Sequence, residues 1–222
     1  MSKDALRDLH REVMRAIVKN VSDTPLVLKG GTALMLAYKL PRFSEDLDFD
    51  SPKKIKLDNR IEDALRHIAR VDMLTTPKDT NTVTRHKLTY TGGRDKADLS
   101  GALFIEISHR MESIGDDSYI EHEGMRIATV ETIAQHKISA AITGDSPRTA
   151  ARDLFDLAFL TKTHPGAFDA RQWGELARFL DDPQAIVERY RPAFADDLLL
   201  VDQDPEEIVL ALQGNVEANG RV

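Results

Sequence analysis

One stretch constrains this chain more than any other. Residues 26–50 read LVLKGGTALMLAYKLPRFSEDLDFD. The apolar run Leu26-Val27-Leu28 has the character of a short buried strand, and it leads through Lys29 into Gly30-Gly31-Thr32. Helical spacing resumes at once and runs to Leu40, where Pro41 ends it. A glycine pair between a strand and a helix has two uses. It can simply make a tight turn. It can also let the backbone approach a bulky anion at the point where the first free amides of the helix, with the helix dipole behind them, are aimed.

The next residues add chemistry to that geometry. Residues 44–50 alternate polar and apolar, the period of a half-buried strand. On such a strand Asp46 and Asp48 share a face, about 6.5–7 Å apart, while Leu47 and Phe49 turn inward. Paired carboxylates on one face repel each other unless cations sit between them, and Mg²⁺ favours oxygen ligands of this kind, bridging them to substrate phosphates. The competing reading is a solvated strand face. Ser44 lies on the same face and could bond a phosphate or a metal-bound water. In Leu103-Phe104-Ile105-Glu106-Ile107 a single acid interrupts an apolar run, and an acid so placed is seldom buried without a partner. If its strand lies beside the Asp46–Asp48 strand, Glu106 completes a three-acid site; otherwise it is an acid at a sheet edge facing water. Two divalent ions held by three such acids could align a nucleoside triphosphate for in-line attack.

The rest of the sequence frames this centre. A helix is expected over residues 3–21 and a charged one over 57–71, with strands over 82–91 and 102–108 and a short edge strand over 125–128. From residue 129 the pattern is helical, over 129–143, 148–163, 170–180, 182–194 and 205–215. These elements predict a mixed α/β domain over residues 1–125 and a helical domain over 126–222. The net charge of −7 argues against a surface coated for non-specific nucleic-acid binding, so any such contact must be a local patch. Residues 51–110 do carry an excess of about four positive charges, against about seven negative ones over 166–222. The absence of cysteine removes disulfides, zinc ribbons and thiol nucleophiles, and the seven histidines are scattered without metal-ligand spacing. With no signal peptide or membrane span in the pattern, a cytoplasmic protein is expected.

The run Lys29-Gly-Gly-Thr-Ala-Leu followed by Arg42-Phe-Ser-Glu-Asp-Leu-Asp-Phe resembles the AbiEii/AbiGii toxin family of the polymerase-β-like nucleotidyltransferase superfamily. A later signature agrees: Lys137 within AQHKISAAI, then Arg152-Asp153-Leu-Phe-Asp156-Leu. The resemblance implies a small mixed sheet with helices joined to a C-terminal helical bundle, with the active site between them. It implies transfer of a nucleotide from an NTP with release of pyrophosphate, and it includes toxins of bacterial toxin–antitoxin and phage-defence systems. Some relatives, the MenT toxins among them, extend the 3′ end of tRNA. Carried onto this sequence, Gly30, Gly31, Thr32 and Ser44 would hold the nucleotide. Asp46 and Asp48 would bind Mg²⁺ or Mn²⁺, with Glu106 as third ligand and base where many relatives have Asp. Lys137 would pair with the triphosphate, and Asp153 would orient Lys137 or the nucleotide. A cognate antitoxin is an implied partner. The acceptor could instead be a protein hydroxyl, or the chain could be a non-catalytic module binding a nucleotide or an antitoxin.

The residues alone allow plainer readings of the second signature. Lys137 could be an exposed helix lysine, Arg152 and Asp156 an i,i+4 salt bridge, and Asp153 with Asp156 boundary residues beside an apolar stripe. Lys53-Lys54-Ile55-Lys56 could touch an RNA backbone or be solvated. Arg85-His86-Lys87 could form an electrostatic ledge for nucleic acid or guard an edge strand. Trp173 is expected to pack between C-terminal helices.

Overall fold

The computed structural model describes residues 3–220. Its elements run α1 (Lys3–Asn20), β1 (Val27–Lys29), α2 (Gly30–Ala37), β2 (Leu47–Asp50), α3 (Asp58–Leu65), β3 (Ala69–Asp79), β4 (Val83–Gly92), β5 (Ser100–Ser108), β6 (Tyr119–His122) and β7 (Met125–Ala128). Five helices follow: α4 (Val130–Ile138), α5 (Ala151–Thr163), α6 (Ala170–Phe179), α7 (Pro183–Asp196) and α8 (Pro205–Asn219). The chain divides into two compact units. The first runs up to Ala37 and resumes over Ser44–Ala128; the second joins Tyr38–Phe43 to the chain from Thr129 onward. Residues 38–43, which the sequence reading left within the first domain, thus belong with the helices. No helix among the described residues is long and apolar enough to cross a membrane.

The first unit is built on a seven-stranded mixed sheet in the order β3-β4-β5-β2-β1-β7-β6. β2 lies near its middle, parallel to β5 and antiparallel to β1. Alternation decides which side is buried. Leu28, Leu47, Phe49, Leu88, Leu103, Ile105, Ile107 and Ile127 are on one face and have almost no solvent exposure. Against this face lies α1, which contributes Leu9, Val13, Met14 and Ile17, with Ile61 and Leu65 of α3 beside it. The opposite face carries Lys29, Asp48, Glu106, Arg85 and Lys87.

Three expectations change. The charged helix ends at Leu65, and the segment from Ala69 onward pairs with β4 as a strand, because β4 offers it an antiparallel ladder of eight register pairs. β7 is not an edge; it sits between β1 and β6, and β6 was not anticipated. β4 is interior too, so Arg85 and Lys87 do not guard an edge. β3 is the edge strand, interrupted around Pro77, where the register with β4 shifts.

One buried hydrogen-bond chain ties three parts of this unit together. His10 of α1 lies 2.5 Å through Nδ1 from the Tyr90 hydroxyl of β4 and 2.7 Å through Nε2 from the carbonyl oxygen of Glu45. A carbonyl only accepts, so Nε2 carries the proton and Tyr90 donates to Nδ1. The Tyr90 ring lies across Gly101, where any side chain would collide with it. Burial pushes the Tyr90 phenol up, which keeps it a donor.

The second unit is helical. Thr129 caps α4, Asp169 and Gln172 form a reciprocal capping box on α6, and Asp182-Pro183 and Asp204-Pro205 open α7 and α8. Asn215 of α8 donates to the carbonyl oxygen of Ala158 on α5 at 3.2 Å. Trp173 packs on Phe168 with ring centroids 4.9 Å apart, a core role as expected.

Tyr90→Phe leaves Nδ1 of His10 without its donor in a buried site, so it should cost about 1–3 kcal/mol of stability. Urea unfolding measures this, and an unchanged midpoint would contradict the hydrogen-bond chain.

Candidate active site

The glycine turn and the acid strand meet in the first unit. Gly30 adopts φ +72°, a left-handed conformation at the mouth of α2, and a Cβ built there would stand 3.2 Å from Asp48 Oδ2. Glycine is therefore favoured by backbone conformation, and a side chain there would crowd the carboxylate beside it. Asp48 follows the buried Leu47 and precedes the buried Phe49, so strand alternation holds its side chain on the opposite face. Its register partners are Lys29 on β1 and Glu106 on β5. Register partners share a face, on strands about 4.8 Å apart. The structure thus gathers Gly30, Asp48 and Glu106. Asp46 is half-buried and lies just before β2, two residues upstream of Asp48.

Thr32 and Ser44 serve the chain itself. Thr32 is 1% exposed; its hydroxyl donates to the carbonyl oxygen of Asp46 at 2.5 Å and lies 2.9 Å from the Ser44 hydroxyl. A hydroxyl has one proton, so with Thr32 donating to Asp46 the Ser44 hydroxyl donates to Thr32. These side chains anchor the segment that carries Asp46 to α2. A nucleotide would therefore meet Gly30, Gly31 and Thr32 through their main chain.

Each acid of the β2 and β5 face has a basic neighbour. Arg85, the antiparallel register partner of Glu106, donates to its Oε2 from Nε at 2.8 Å and from Nη2 at 2.5 Å. Lys29 donates to Asp50 at 2.5 Å. Asp50 extends the acid series by one more same-face step; sequence reading passed over it, although its spacing from Asp48 was the available signal. Among the described residues no three His, Asp or Glu side chains are drawn together into a metal cage. The donor set is nevertheless of one kind, carboxylate oxygen, and fits a hard divalent cation. Mg²⁺ sites of this type commonly use one or two carboxylates and leave the rest of the shell to water and substrate phosphates.

A second cluster lies within the helical unit. Asp153 and Asp156 of α5 are fully buried, which rules out the boundary reading. Lys137 of α4 is buried as well, with Nζ 2.7 Å from Asp153 Oδ1 and 2.6 Å from Asp156 Oδ2. Arg42 grips Asp156 with two parallel bonds of 2.7 Å, and Arg148 reaches Asp153 at 2.6 Å. Asp156 thus turns to Arg42, 114 positions away in sequence, and not to Arg152 one helical turn away. Two of the three Lys137 donors are taken by carboxylates. Burial raises the Asp153 carboxyl, and Lys137 and Arg148 more than reverse that, leaving it below the ordinary value.

Lys137 bridges both buried carboxylates, so Lys137→Ala removes one charge-assisted bond from each and should cost roughly 3–5 kcal/mol. The depressed Asp153 adds a pH dependence. Its contribution is complete above the ordinary carboxylate value of 3.8 and is lost as pH falls through the lower folded value. Denaturant melts from neutral pH down to about 3 should therefore show an acid loss that Asp153→Asn diminishes.

The comparisons show which family the chain belongs to. The model of the family described as "Nucleotidyl transferase AbiEii toxin, Type IV TA system" matches residues 12–214. A crystal structure of an H. pylori protein provisionally assigned as a nucleotidyltransferase shares 40% identity at TM-score 0.90, covering 100% of this chain and 96% of that one. The crystal structure of JHP933 from Helicobacter pylori shares 40% identity at TM-score 0.91, covering 100% of this chain and 94% of that one. Among curated proteins nothing matches. With the family model spanning most of its length, the chain belongs to the AbiEii nucleotidyl transferase toxins of type IV toxin–antitoxin systems.

Proposed function

We propose that this chain is a Mg²⁺-dependent transferase that moves a nucleoside monophosphate from an NTP to a nucleic-acid acceptor, a tRNA 3′ end, and that it acts in the cytoplasm as a toxin countered by a cognate antitoxin. A role in phage defence is part of the same reading. The observation that carries the enzymatic part is the register of β2: Asp48 stands directly across from Glu106 while its carboxylate lies against Gly30.

The residues divide the work by position. Main-chain amides at Gly30, Gly31 and Thr32 open α2 and would receive phosphate oxygens. Asp46, Asp48 and Glu106 would hold the cation, which when bound neutralises phosphate charge and fixes the α-phosphate relative to the acceptor. The acceptor hydroxyl oxygen forms a bond to the α-phosphorus as the bond from that phosphorus to the β-bridging oxygen breaks, and pyrophosphate leaves with the electron pair. The hydroxyl proton would pass to a carboxylate, and Glu106 is the one this reading assigns as base. For that, Glu106 must first be released by Arg85. This exchange is accessible because both side chains are partly exposed.

Asp46→Asn and Asp48→Asn should each reduce incorporation of labelled NTP into total tRNA by roughly a hundredfold or more. Both variants should unfold like the wild type, and chelating the divalent ion should have the same effect on transfer. Full activity in both variants would sink the assignment.

A further inference from the structure

The face of the sheet that bears the acids does not stop at them. β4 and β5 continue it with Arg85 and Lys87 on one strand and Phe104 on the other, and Lys78 of β3 stands opposite Arg85. Phe104 is 39% exposed, unusual for an aromatic ring in the middle of a sheet. Two cations flank it: the Lys87 ammonium lies 5.8 Å and the Arg85 guanidinium 6.0 Å from the ring centroid. The other face of the same strands is core, with Leu88, Leu103 and Ile105 fully buried, so the ring is not surplus hydrophobic packing. Phe104 and Asp46 each lie one residue before a paired position, Leu47 opposite Ile105. Phe104 is two residues from Glu106, about 6.5–7 Å along the strand.

An open ring between cations suits a ligand that is both flat and anionic. A stacked base with its phosphates has that chemistry, and only an unpaired strand offers a free base face. Resting on the transferase reading above, we propose that this face of β3, β4 and β5 seats the acceptor: the end of a single-stranded polynucleotide, with a base on Phe104, phosphates on Lys87 and Lys78, and the terminal hydroxyl at the Asp46, Asp48 and Glu106 row. The charge supports this occupant. In the register rows of Phe104 and Glu106 across β3, β4 and β5, Lys78, Arg85 and Lys87 outnumber the one acid, Glu106, on a chain whose net charge is −7. The face reads the strand by stacking and charge, which makes it tolerant of base identity.

The test is fluorescence anisotropy of the full chain with a short labelled single-stranded RNA, and with a blunt duplex of the same length, across a salt series. Phe104→Ala should weaken single-strand binding roughly tenfold and leave the weaker duplex binding unchanged. Lys87→Ala should reduce the slope of log affinity against log salt by about 0.7. Wild-type binding in Phe104→Ala, or equal affinity for duplex and single strand, would overturn the proposal. So would labelling of a protein in place of RNA. Because the readout is binding, the result stands apart from nucleotide transfer in Asp48→Asn; if that variant keeps full activity, the transferase site is wrong whatever the anisotropy shows. Thermal melting confirms that the variants, both at partly exposed positions, remain folded.

Discussion

The register of β2 governs everything that follows from this sheet. The strand has four residues, and it is held between an antiparallel neighbour on one side and a parallel neighbour on the other. Side chains alternate with a period of two, so a slip of one position would send Asp48 into the core and Leu47 into the anion pocket. What prevents the slip is apolar. Leu47 and Phe49 are essentially unexposed, and burying a side chain of that size is worth about 1.5–3 kcal/mol. The acids are thus aimed by their hydrophobic neighbours. Thr32 adds a second constraint by holding the Asp46 carbonyl, and His10 a third by holding that of Glu45. Both grips are on the main chain and do not use the Asp46 side chain.

This division explains which parts of the molecule could be read in advance. Alternation over residues 44–50 is local, so the inward Leu47 and Phe49 and the outward Asp48 follow from the sequence. Glycine at position 30 is legible as a turn, although its contact with the Asp48 carboxylate depends on pairing between strands. β3 was less accessible. Residues 57–71 keep helical spacing through Ile61, Leu65 and Ile68, and nothing nearby marks the change at Ala69. Pairing with β4, a tertiary event, overrides that spacing. β6 is too short and too exposed to leave a periodic trace, and without it β7 looks like an edge.

The charged residues show the same limit more sharply. Arg152 and Asp156 have the spacing of a helical ion pair, but Asp156 is buried and Arg152 is not. A buried carboxylate cannot rely on a partner that prefers water, so Asp156 recruits Arg42 and Lys137. Residue types could suggest that Lys137 and Asp153 matter together. They could not supply Arg42, which arrives with the short segment Tyr38–Phe43 that joins the helical unit. Lys39 within that segment takes φ +62°, an uncommon conformation for a side-chain-bearing residue, at the point where α2 stops ahead of Pro41.

Two classes of ion pair therefore have different consequences. In the helical unit the buried Asp153 and Asp156 are each held by two cations, Lys137 with Arg148 and Lys137 with Arg42, and every bond lost there is lost away from water on the carboxylate side. Two of the Lys137 donors are already committed within this network. Arg85 and Glu106 on the sheet are partly solvated, and exposed pairs of that kind contribute little to folding. Their value lies in being exchangeable. On the transferase reading proposed above, Arg85 would hold Glu106 beside Asp48 until ligands arrive: a divalent ion would replace the guanidinium at Glu106, and acceptor phosphates would take up the guanidinium so released. On that proposal the same arginine would couple entry of an anionic strand along the Phe104 face to exposure of Glu106.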